Sequence, residues 1–440
     1  MLGLSPRDFR VFLIFVAVVM TMPIWMAPIH GSVSFYQLFA VFGLFTIGFN
    51  LLFGLTGYLS FGHAALYGTG SIAAFWCMKL LSLHALPAIL FGGIMAGLLA
   101  LVMGYLCLRR SGIYFSILTL AFAVMMYQLA IPQKTLTGGD DTIGLDPGRE
   151  TIFETVLVQK KVGGALVFDE TGQPVYREVT QIKIDAATGE PVTRWKDARV
   201  LDRAIGLVPD TASPNFGIPS LRQNADGSQS YRWFSLNRDS KASLELHQVP
   251  LFGHLKIQYQ TGASVGFLLL ILGFYFSIRV RRSSFGLMLR AVKTNQTRMA
   301  YTGLQPKRYT LAVFVISGVY AGMAGALWTV LTSQATAERL IWNISGEVVI
   351  MTILGGVGTL VGPVIGAGLV EYLKELLSAI NIEVTGFWTA LIKPFLGDTW
   401  LLTLGLVFMA VVAFLPGGLM ELPKKILALG RRLRPQGEAS

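Results

Sequence analysis

The chain has 440 residues, of which 53% are hydrophobic and only 14% are charged, and its mean hydropathy is +0.58. Soluble proteins carry about 25% charged residues, so this composition excludes an ordinary soluble domain and indicates a membrane protein. The formal net charge of +11 suits either nucleic acid or the edge of a membrane, and the positions of the basic residues decide between them. The two cysteines, Cys77 and Cys107, both lie in apolar runs and provide neither a disulfide framework nor a metal-ligand cluster.

Ten apolar stretches of roughly the length that a transmembrane helix needs, about 20 residues, follow one another along the chain. The first comes after Arg7 and Arg10, and its length, its late prolines and the lack of a small-residue cleavage site indicate an uncleaved span. The two glycine-rich stretches near 347–377 either cross the membrane fully or enter and leave it on the same side. The sequence thus predicts an all-α polytopic membrane protein with about ten transmembrane or re-entrant helices: Val11–Ile29, Tyr36–Gly54, His63–Leu81, Leu86–Leu108, Ile113–Ile131, Ala263–Ile278, Tyr309–Leu331, Glu347–Val361, Pro363–Leu377 and Thr399–Pro416.

The basic residues beside these spans all fall on one face of the membrane. If the N-terminus is cytoplasmic, alternation places Arg109 and Arg110, the segment 279–308 and the basic tail inside, as the positive-inside rule requires. The charge then belongs to membrane edges, and no soluble basic domain remains for nucleic acid. We expect four parts: N-terminal helices at 1–136 (five spans), an extracytoplasmic insert at 137–260, C-terminal helices at 261–420, and a basic cytoplasmic tail at 421–440.

The composition of the insert differs from that of the spans. Residues 137–260 carry 14 Lys or Arg against 16 Asp or Glu, and turn-forming pairs separate short runs such as "VFDETGQPV" and "KIDAATGEPV". This pattern predicts a small β-rich or partly disordered extracytoplasmic segment. Its acidic residues lack the ligand spacing of a calcium loop. The segment is either a plain surface insert or a docking site for an external partner.

Two uncharged glycine-rich stretches, Asn50 to Gly70 and Met351 to Gly368, interrupt the spans, one in each half of the chain. Such paired interruptions point to a transport pathway, although close helix packing through small residues explains them equally well. His63 either binds a substrate carboxylate or hydrogen-bonds a neighbouring helix. Glu347 either opens a helix at its external end or contacts a ligand ammonium, and "TGGDD" after the fifth span is a turn or part of the external mouth. The candidate pathway residues are Asn50, Gly54, Gly57, Ser60, His63, Thr137, Gly138, Gly139, Glu347, Gly355, Gly356 and Gly358.

The segment "RVRRSSFGLMLRAVKTNQTRMAYTGLQPKR", residues 279–308, has eight Lys or Arg and neither Asp nor Glu. Ser284 predicts a helix start, apolar residues recur near the helical period, and Gly303 followed by Pro306 predicts the helix end. The result is a cytoplasmic helix with an apolar stripe and a basic rim. This helix either lies on anionic lipid or docks on a partner ATPase. A partner ATPase is considered because the chain has no P-loop and no catalytic motif of its own.

Four motifs in order resemble the permease subunits of branched-chain amino acid ABC importers, and within that family the M type. They are "NLLFGLTGYLSFGHAALYGTG", "TGGDDTIGL", "RSSFGLMLRAVKTNQTRMAYTGLQPKRYTLAVFVISGVYAGMAGAL" and "ILGGVGTLVGPVIGA". Together they cover most of the chain except about 146–250. The long insert departs from the family pattern and leaves the substrate and the docking partner open.

The resemblance implies a permease that moves branched-chain or related amino acids inward across a bacterial inner membrane, with both termini cytoplasmic. It implies a second permease subunit in a heterodimer, two cytoplasmic ABC ATPases that bind ATP and Mg, and an extracytoplasmic substrate-binding protein, with no cofactor or metal in this chain. Ala291 and Gly303 fall where the family has the alanine and glycine of its coupling loop. With the basic rim of the predicted helix, the expected ATPase-coupling residues are Arg290, Ala291, Lys293, Arg298 and Gly303.

Three alternatives remain open at this point. A urea or short-chain amide permease would carry similar motifs. An ion-driven secondary transporter should show paired carboxylates within the membrane, and the sequence shows none at span centres. A membrane scaffold with an outer binding domain would not transport.

Overall fold

The structure is a computed structural model that describes residues 5–26, 32–82, 84–110, 112–139, 141–144, 253–379, 400–415, 417–421 and 425, together with strands between residues 149 and 249. The chain divides into two compact units. The first is Met1–Leu145, Ser213–Ile218 and Phe234–Ser440, and the second is Asp146–Ala212 and Pro219–Trp233. Within the described residues, the first unit holds every helix and the second holds only strands.

Helices make up most of the first unit, and local signals start and stop them. Ser32 accepts a hydrogen bond from Phe35 N at 3.0 Å and caps the start of α3, and Gly57, in the left-handed conformation, ends that helix. The described helices are α1 (Pro6–Met20), α2 (Met22–Met26), α3 (Val33–Thr56), α4 (His63–Trp76, continued by a π-helical turn Cys77–Leu81), α5 (Ala85–Cys107), α6 (Ile113–Ala130), α7 (Lys134–Thr137), α8 (Thr261–Arg282), α9 (Ser284–Thr294), α10 (Gln296–Tyr301), α11 (Pro306–Thr332), α12 (Trp342–Gly355), α13 (Gly362–Ala379) and α14 (Trp400–Phe414).

Six of these helices are long and apolar enough to cross a membrane by length and composition: α3, α4 with its π-helical turn, α5, α6, α8 and α11. Each coincides with a predicted span. The predicted all-α polytopic membrane fold is confirmed. The shorter α12 has 14 residues and is therefore about 21 Å long, less than the ~30 Å hydrocarbon core of a bilayer.

Helix α11 packs against α3, α4 and α5 and lies at the centre of the first unit. Helices α4 and α11 approach closely because glycines lie at their contacts. A Cβ on Gly70 would collide with the backbone of Gly322, and one on Gly325 would collide with the carbonyl of Tyr67. Ser71 Oγ and Thr329 Oγ1 are 2.6 Å apart in the same interface. Small residues and hydroxyl pairs are the usual means by which membrane helices associate.

Helix α6 shows the opposite pattern, because only 22% of its most apolar stretch of 18 residues is buried. Its outward residues include Ile113, Tyr114 and Ile117, each more than half exposed. Apolar side chains of this kind would be costly in water but not in lipid or against another membrane subunit.

Two predicted spans differ from the observed helices. The first is interrupted, because α1 stops at Met20 and the short α2 follows Thr21, whose hydroxyl donates to Ala17 O at 2.6 Å. The glycine-rich span predicted from Glu347 begins instead at Trp342 and ends at Gly355. Residues 342–346, with the sequence WNISG, supply its extra first turn, which the predicted start had excluded.

Strands are short and antiparallel. In the second unit β2 (Arg149–Thr151) pairs with β7 (Thr193–Trp195), β3 (Phe153–Gln159) with β6 (Tyr176–Ile182), β4 (Lys161–Val162) with β5 (Ala165–Leu166), and β8 (Pro219–Gln223) with β9 (Gln229–Trp233). In the first unit β1 (Ile143–Gly144) pairs with β12 (Gln334–Ala335), and β10 (Lys241–Val249) with β11 (Gly253–Gln260). The described part of the insert is therefore rich in strands.

Candidate functional site

The last turns of α3 bring the two glycine-rich stretches together. Asn50 Nδ2 donates to Thr359 O at 2.8 Å, and Asn50 Oδ1 accepts from Gly358 N at 2.8 Å. Gly54 lies one turn further along α3, and a Cβ placed on it would lie only 2.9 Å from Gly358 Cα. A single asparagine thus joins two segments that are 308 residues apart in the chain. We call this contact of residues 50–58 with 355–362 the glycine junction.

The loops at the glycine junction need glycine for conformational reasons. Gly57, Gly356 and Gly358 have φ angles of +77°, +117° and +77°, which L-residues with a side chain rarely adopt. Thr359 Oγ1 donates to Gly356 O at 2.7 Å and accepts from Gly362 N at 3.1 Å. These bonds satisfy backbone groups that could find no water in a membrane.

Gly355 is the last residue of α12, and a Cβ there would collide with Gly362 O. The α12–α13 turn is therefore closed by direct backbone contact. Six of the predicted pathway residues, Asn50, Gly54, Gly57, Gly355, Gly356 and Gly358, meet at this one place.

The basic segment folds as two helices rather than the single helix expected from Ser284 to Gly303. Ser283 caps α9 by accepting from Gly286 N at 3.2 Å. Asn295 then ends α9, and its side chain accepts from Arg298 N at 2.9 Å to start α10. Asparagine competes with the helix for backbone hydrogen bonds, so the chain bends at this residue. We call residues 283–303 the basic hairpin.

The basic hairpin has one face against the protein and one face free. Leu289, Val292 and Met299 are buried. All five predicted coupling residues are exposed: Arg290, Ala291, Lys293, Arg298 and Gly303. Gly303 has a φ of +81°, and a Cβ there would meet nothing within 4 Å. An open cavity of about 400 Å³ adjoins Gly303 and is lined also by Phe285, Leu304, Gln305, Arg308, Tyr309 and Ala312.

One of these exposed residues, Lys293, also contacts the end of α3. Its Nζ donates to Gly54 O at 3.1 Å, and Gln296 Nε2 donates to Tyr58 Oη at 3.0 Å. The carbonyl of Gly54 belongs to the last turn of α3, where the helix dipole favours a cation. The basic hairpin is therefore attached directly to the glycine junction.

His63 and Ser60 lie deeper in the protein. Both are fully buried, and His63 Nε2 is 2.8 Å from Ser317 Oγ of α11. The imidazole packs among Phe45, Phe49 and Phe314. Ser60 Oγ accepts from Gly62 N at 3.3 Å and shapes the loop before α4. This placement of His63 fits a bond between helices better than an open contact with a ligand.

Thr137, Gly138 and Gly139 form a turn. Thr137 Oγ1 donates to Ala130 O at 2.6 Å and accepts from Gly139 N at 3.3 Å, and both glycines have positive φ angles. Thr137 also borders an open, mainly apolar cavity of about 450 Å³, with Thr69, Trp76, Phe91, Met126 and Leu340 among its lining residues. Thr137 thus joins this turn to the end of α6.

Glu347 takes part in an ion-pair cluster, and it does not open a helix as predicted. It lies in the second turn of α12, and its Oε2 is 2.8 Å from Lys374 Nζ; the same Nζ is 3.0 Å from Glu371 Oε1. Glu371 is 4% exposed. Glu347 of α12 is thus paired with a lysine of α13, and that lysine is also paired with a second carboxylate of α13. We call Glu347, Glu371 and Lys374 the charged cluster. In the described part of the chain there is no group of three or more His, Cys, Asp or Glu side chains that could hold a metal ion.

A family model described as the branched-chain amino acid transport system permease component matches residues 32–412. The chain belongs to this permease family. The match includes the glycine junction, the basic hairpin and the charged cluster, and extends across the insert.

The permease is similar to the high-affinity branched-chain amino acid transport system permease protein LivM of Escherichia coli strain K12, with 22% identity over 355 residues that cover 80% of this chain and 65% of LivM. It thus spans less than two thirds of that relative's length. Shorter matches link it to the fructose import permease FruF of Bifidobacterium longum strain NCC 2705 (24% identity, 26% of this chain and 34% of FruF) and to the guanosine ABC transporter permease NupP of Bacillus subtilis strain 168 (31%, 24% and 30%). No solved structure matches the permease.

Sequence reasoning missed Glu371 and Lys374 of the permease. Both lie inside the predicted span Pro363–Leu377, and their spacing of three residues puts them on one face of a helix. With Glu375, that predicted span holds three charges, which were a usable signal. The third member, Glu347, comes from a different helix, so its spacing in the sequence does not join it to the other two.

Proposed function

We propose that this chain is the transmembrane permease subunit of an ABC importer that moves branched-chain or related amino acids into the cytoplasm. The observation that carries the proposal is the attachment of the basic hairpin to the glycine junction through Lys293 and Gln296. A hairpin with a free basic face and a bonded inner face can receive motion from outside the membrane and pass it to the spans. Family membership and the LivM match support the same function.

The chain has no phosphate-binding loop, so it does not hydrolyse ATP itself in this proposal. Two cytoplasmic ABC ATPases would bind ATP and Mg and dock on Arg290, Ala291, Arg298 and Gly303. A second permease subunit would complete the pathway, and an extracytoplasmic binding protein would deliver the solute. The exposed apolar residues of α6 suit a lipid or subunit contact.

The proposed setting is a bacterial inner membrane with both termini in the cytoplasm. The basic hairpin then faces the cytoplasm, and residues 137–260 form an extracytoplasmic insert between the helices of 1–136 and 261–420, with a basic tail at 421–440. Of the candidate pathway residues, those at the glycine junction would gate the cytoplasmic end, and Glu347 would lie nearer the external end.

A different solute is the second candidate, because the local matches to FruF and NupP carry the printed names of a fructose and a guanosine permease. An ion-driven transporter is the other class to be tested, since the charged cluster contains the buried carboxylate that such a mechanism needs.

One experiment separates these classes. The complete complex is reconstituted in proteoliposomes, and uptake of radiolabelled L-leucine is measured with and without internal ATP, and again with ionophores that collapse ion gradients at constant ATP. The proposal requires uptake that stops without the ATPases and continues without gradients. Uptake that follows the gradient instead would identify a secondary transporter, and ATP-driven uptake of fructose or guanosine alone would change the substrate.

A further inference from the structure

The open cavity beside Thr137 has apolar walls that come from three helices. Its volume is about 450 Å³, and its walls include Trp76 of α4, Phe91 and Met95 of α5, and Met126 of α6. We call it the α4–α6 cavity. An engineered apolar cavity of about 150 Å³ is enough to bind benzene, so the α4–α6 cavity has room for part of a larger apolar chain.

The α4–α6 cavity opens at one edge of the membrane-spanning part. It lies near the end of α4, the start of α5 and the end of α6, and all three helices are long and apolar enough to span a membrane. Met95, Leu129 and Leu136 line it and are each more than a third exposed. Exposed apolar side chains at this depth are in contact with lipid, and an apolar cavity that opens between them is accessible to an acyl chain.

Two exposed lysines lie at the mouth of the α4–α6 cavity. Lys79 is in the π-helical turn after Trp76, and its Nζ is 4.9 Å from the centroid of the Trp76 ring. Lys134 is the first residue of α7 and follows Gln133, which lines the cavity. Trp76 Nε1 donates to Leu136 O of α7 at 2.7 Å. This bond joins the two lysine-bearing segments, so both charges are at the same end of the cavity.

Neither lysine has an anionic partner among the described residues. The salt bridges printed by the geometry there involve Asp8 with Arg282 and the members of the charged cluster, and Asp141, which follows the same turn, pairs with neither lysine. In the orientation proposed above, this end faces away from the cytoplasm, where basic residues beside spans are less frequent. Two unpaired lysines beside one apolar cavity therefore complement a ligand with a negative headgroup and an apolar chain.

We propose that the α4–α6 cavity binds one anionic phospholipid, with an acyl chain between α4, α5 and α6 and the headgroup phosphate between Lys79 and Lys134. Basic pockets between transmembrane helices are suited to anionic lipid headgroups, and lysine extends its amine toward such a group while its stem covers apolar surface. Gln133 adds an exposed amide donor at the same rim. Met95 and Met126 are unbranched and adapt to the shape of a flexible chain. This site is independent of the solute that the permease moves.

The double variant Lys79→Gln, Lys134→Gln tests the headgroup contact. The full-length permease is purified with any subunits that stay bound, and native mass spectrometry measures its affinity for phosphatidylglycerol and for phosphatidylcholine with the same acyl chains. Each lysine near an anionic lipid contributes about a fivefold factor in affinity. The double variant should therefore bind phosphatidylglycerol about 25-fold less tightly than the wild type, with no change for phosphatidylcholine. Lys307→Gln, at an exposed lysine at the start of α11, is the control.

Ala73→Phe tests the position of the acyl chain. Ala73 lines the cavity, and a phenylalanine there would occupy space that the chain needs. Displacement of about two buried CH₂ groups lowers affinity roughly tenfold for either phospholipid, while the amount of permease in the membrane is unchanged. Ala121→Phe, at an exposed alanine of α6 outside the cavity lining, is the matched control. If Ala73→Phe does not reach the membrane, the lysine variant still decides, because both of its substitutions are at exposed positions.

The site is supported if the lysine variant loses tight binding of phosphatidylglycerol and both controls keep it. Equal affinity of the wild type and the lysine variant overturns the site, and so does unchanged binding by Ala73→Phe that has reached the membrane. Glycerol 3-phosphate that binds as tightly as phosphatidylglycerol would assign the lysines to a soluble anion and overturn the lipid site. Lipid that is lost when a second membrane subunit assembles would assign the cavity to a protein interface, with the same consequence.

Discussion

Lys293 of the basic hairpin donates a hydrogen bond to the backbone carbonyl of Gly54, 3.1 Å away, in the last turn of α3. One turn earlier on the same helix, Asn50 holds the second glycine-rich stretch through Gly358 and Thr359. A displacement of the hairpin can therefore reach both stretches through the side chains of Lys293 and Asn50. In the proposed importer, the exposed face of the hairpin would be the surface on which an ATPase subunit docks.

Lys293→Met should uncouple ATP hydrolysis from transport. The methionine keeps the aliphatic stem but loses the bond to Gly54 O, which is worth about 0.3–1 kcal/mol at a helix C-terminus, so the fold should survive. We expect the ATPase rate of the reconstituted complex to stay within about twofold, while L-leucine transported per ATP falls several-fold. Lys307→Met, at an exposed lysine of the next helix, is the control. An unchanged ratio of leucine to ATP in Lys293→Met would contradict the role of this contact.

Gly54→Ala should damage the glycine junction. The added Cβ would lie 2.5 Å from Asn50 Oδ1 and 2.9 Å from Gly358 Cα, and overpacking of this kind costs about 1–3 kcal/mol. A lower melting temperature of the solubilised permease and a loss of uptake are expected. Gly346→Ala is the control, since a Cβ there meets nothing within 4 Å and alanine favours the helix by up to about 1 kcal/mol. Equal melting temperatures for the two variants would disprove the tight contact.

Hydropathy predicted the long spans well because each is one continuous apolar run bounded by turn residues. Val33–Thr56 and Pro306–Thr332 are examples, with Gly57 and Pro306 at their limits. Where a helix boundary depends on competing local hydrogen bonds, the same reasoning was wrong. Asn295 divides the basic segment in this way. The start of α12 was also predicted wrongly, at Glu347 instead of Trp342, although no side-chain hydrogen bond caps that helix.

Long-range pairing could not be predicted from one sequence. In the sequence, Asn50 is an ordinary polar residue of a predicted helix, and none of its neighbours in the chain indicates that it bonds Gly358 and Thr359. The sequence allowed two interpretations of Glu347, and neither included Lys374. The residues between 347 and 374 do not indicate that α12 and α13 pack against each other with these two side chains in contact.

Gly303→Val should impair coupling without preventing membrane insertion. Gly303 has a φ of +81°, and the left-handed conformation costs a β-branched residue about 1–2 kcal/mol. The turn at the end of the basic hairpin would have to open, which would alter the exposed face. ATP-dependent uptake should be lost while the amount of permease in the membrane is unchanged. Gly303→Asn is the matched control, because asparagine tolerates this conformation. The importance of the conformation is refuted if valine and asparagine transport equally well.

The ion pair of Asp8 and Arg282 should make stability depend on pH. Asp8 lies before the first predicted span; its side chain is 3% exposed, and its oxygens are 2.6 Å from Arg282 Nη2 and 2.7 Å from Ser5 Oγ. Burial raises the pKa of Asp8, but the hydrogen bonds from Ser5 and Arg282 and the charges of Arg282 and Arg7 lower it more, so the pKa of Asp8 lies below its ordinary value. Because the pKa is lower in the folded state, ionised Asp8 stabilises the fold above its ordinary pKa, and the contribution is lost as the pH falls through the folded value.

Asp8→Asn tests this directly by comparison of melting temperatures across pH. Arg282 is more than half exposed, so solvent screening limits the pair to about 1 kcal/mol or less. We expect the wild type to melt above Asp8→Asn at neutral pH, by an amount that is constant down to about pH 5 and shrinks below about pH 4. Added salt should reduce the gap at neutral pH. A gap that stays the same from pH 7 to pH 3 would mean that the lost stability comes from packing of the residue and owes nothing to its charge.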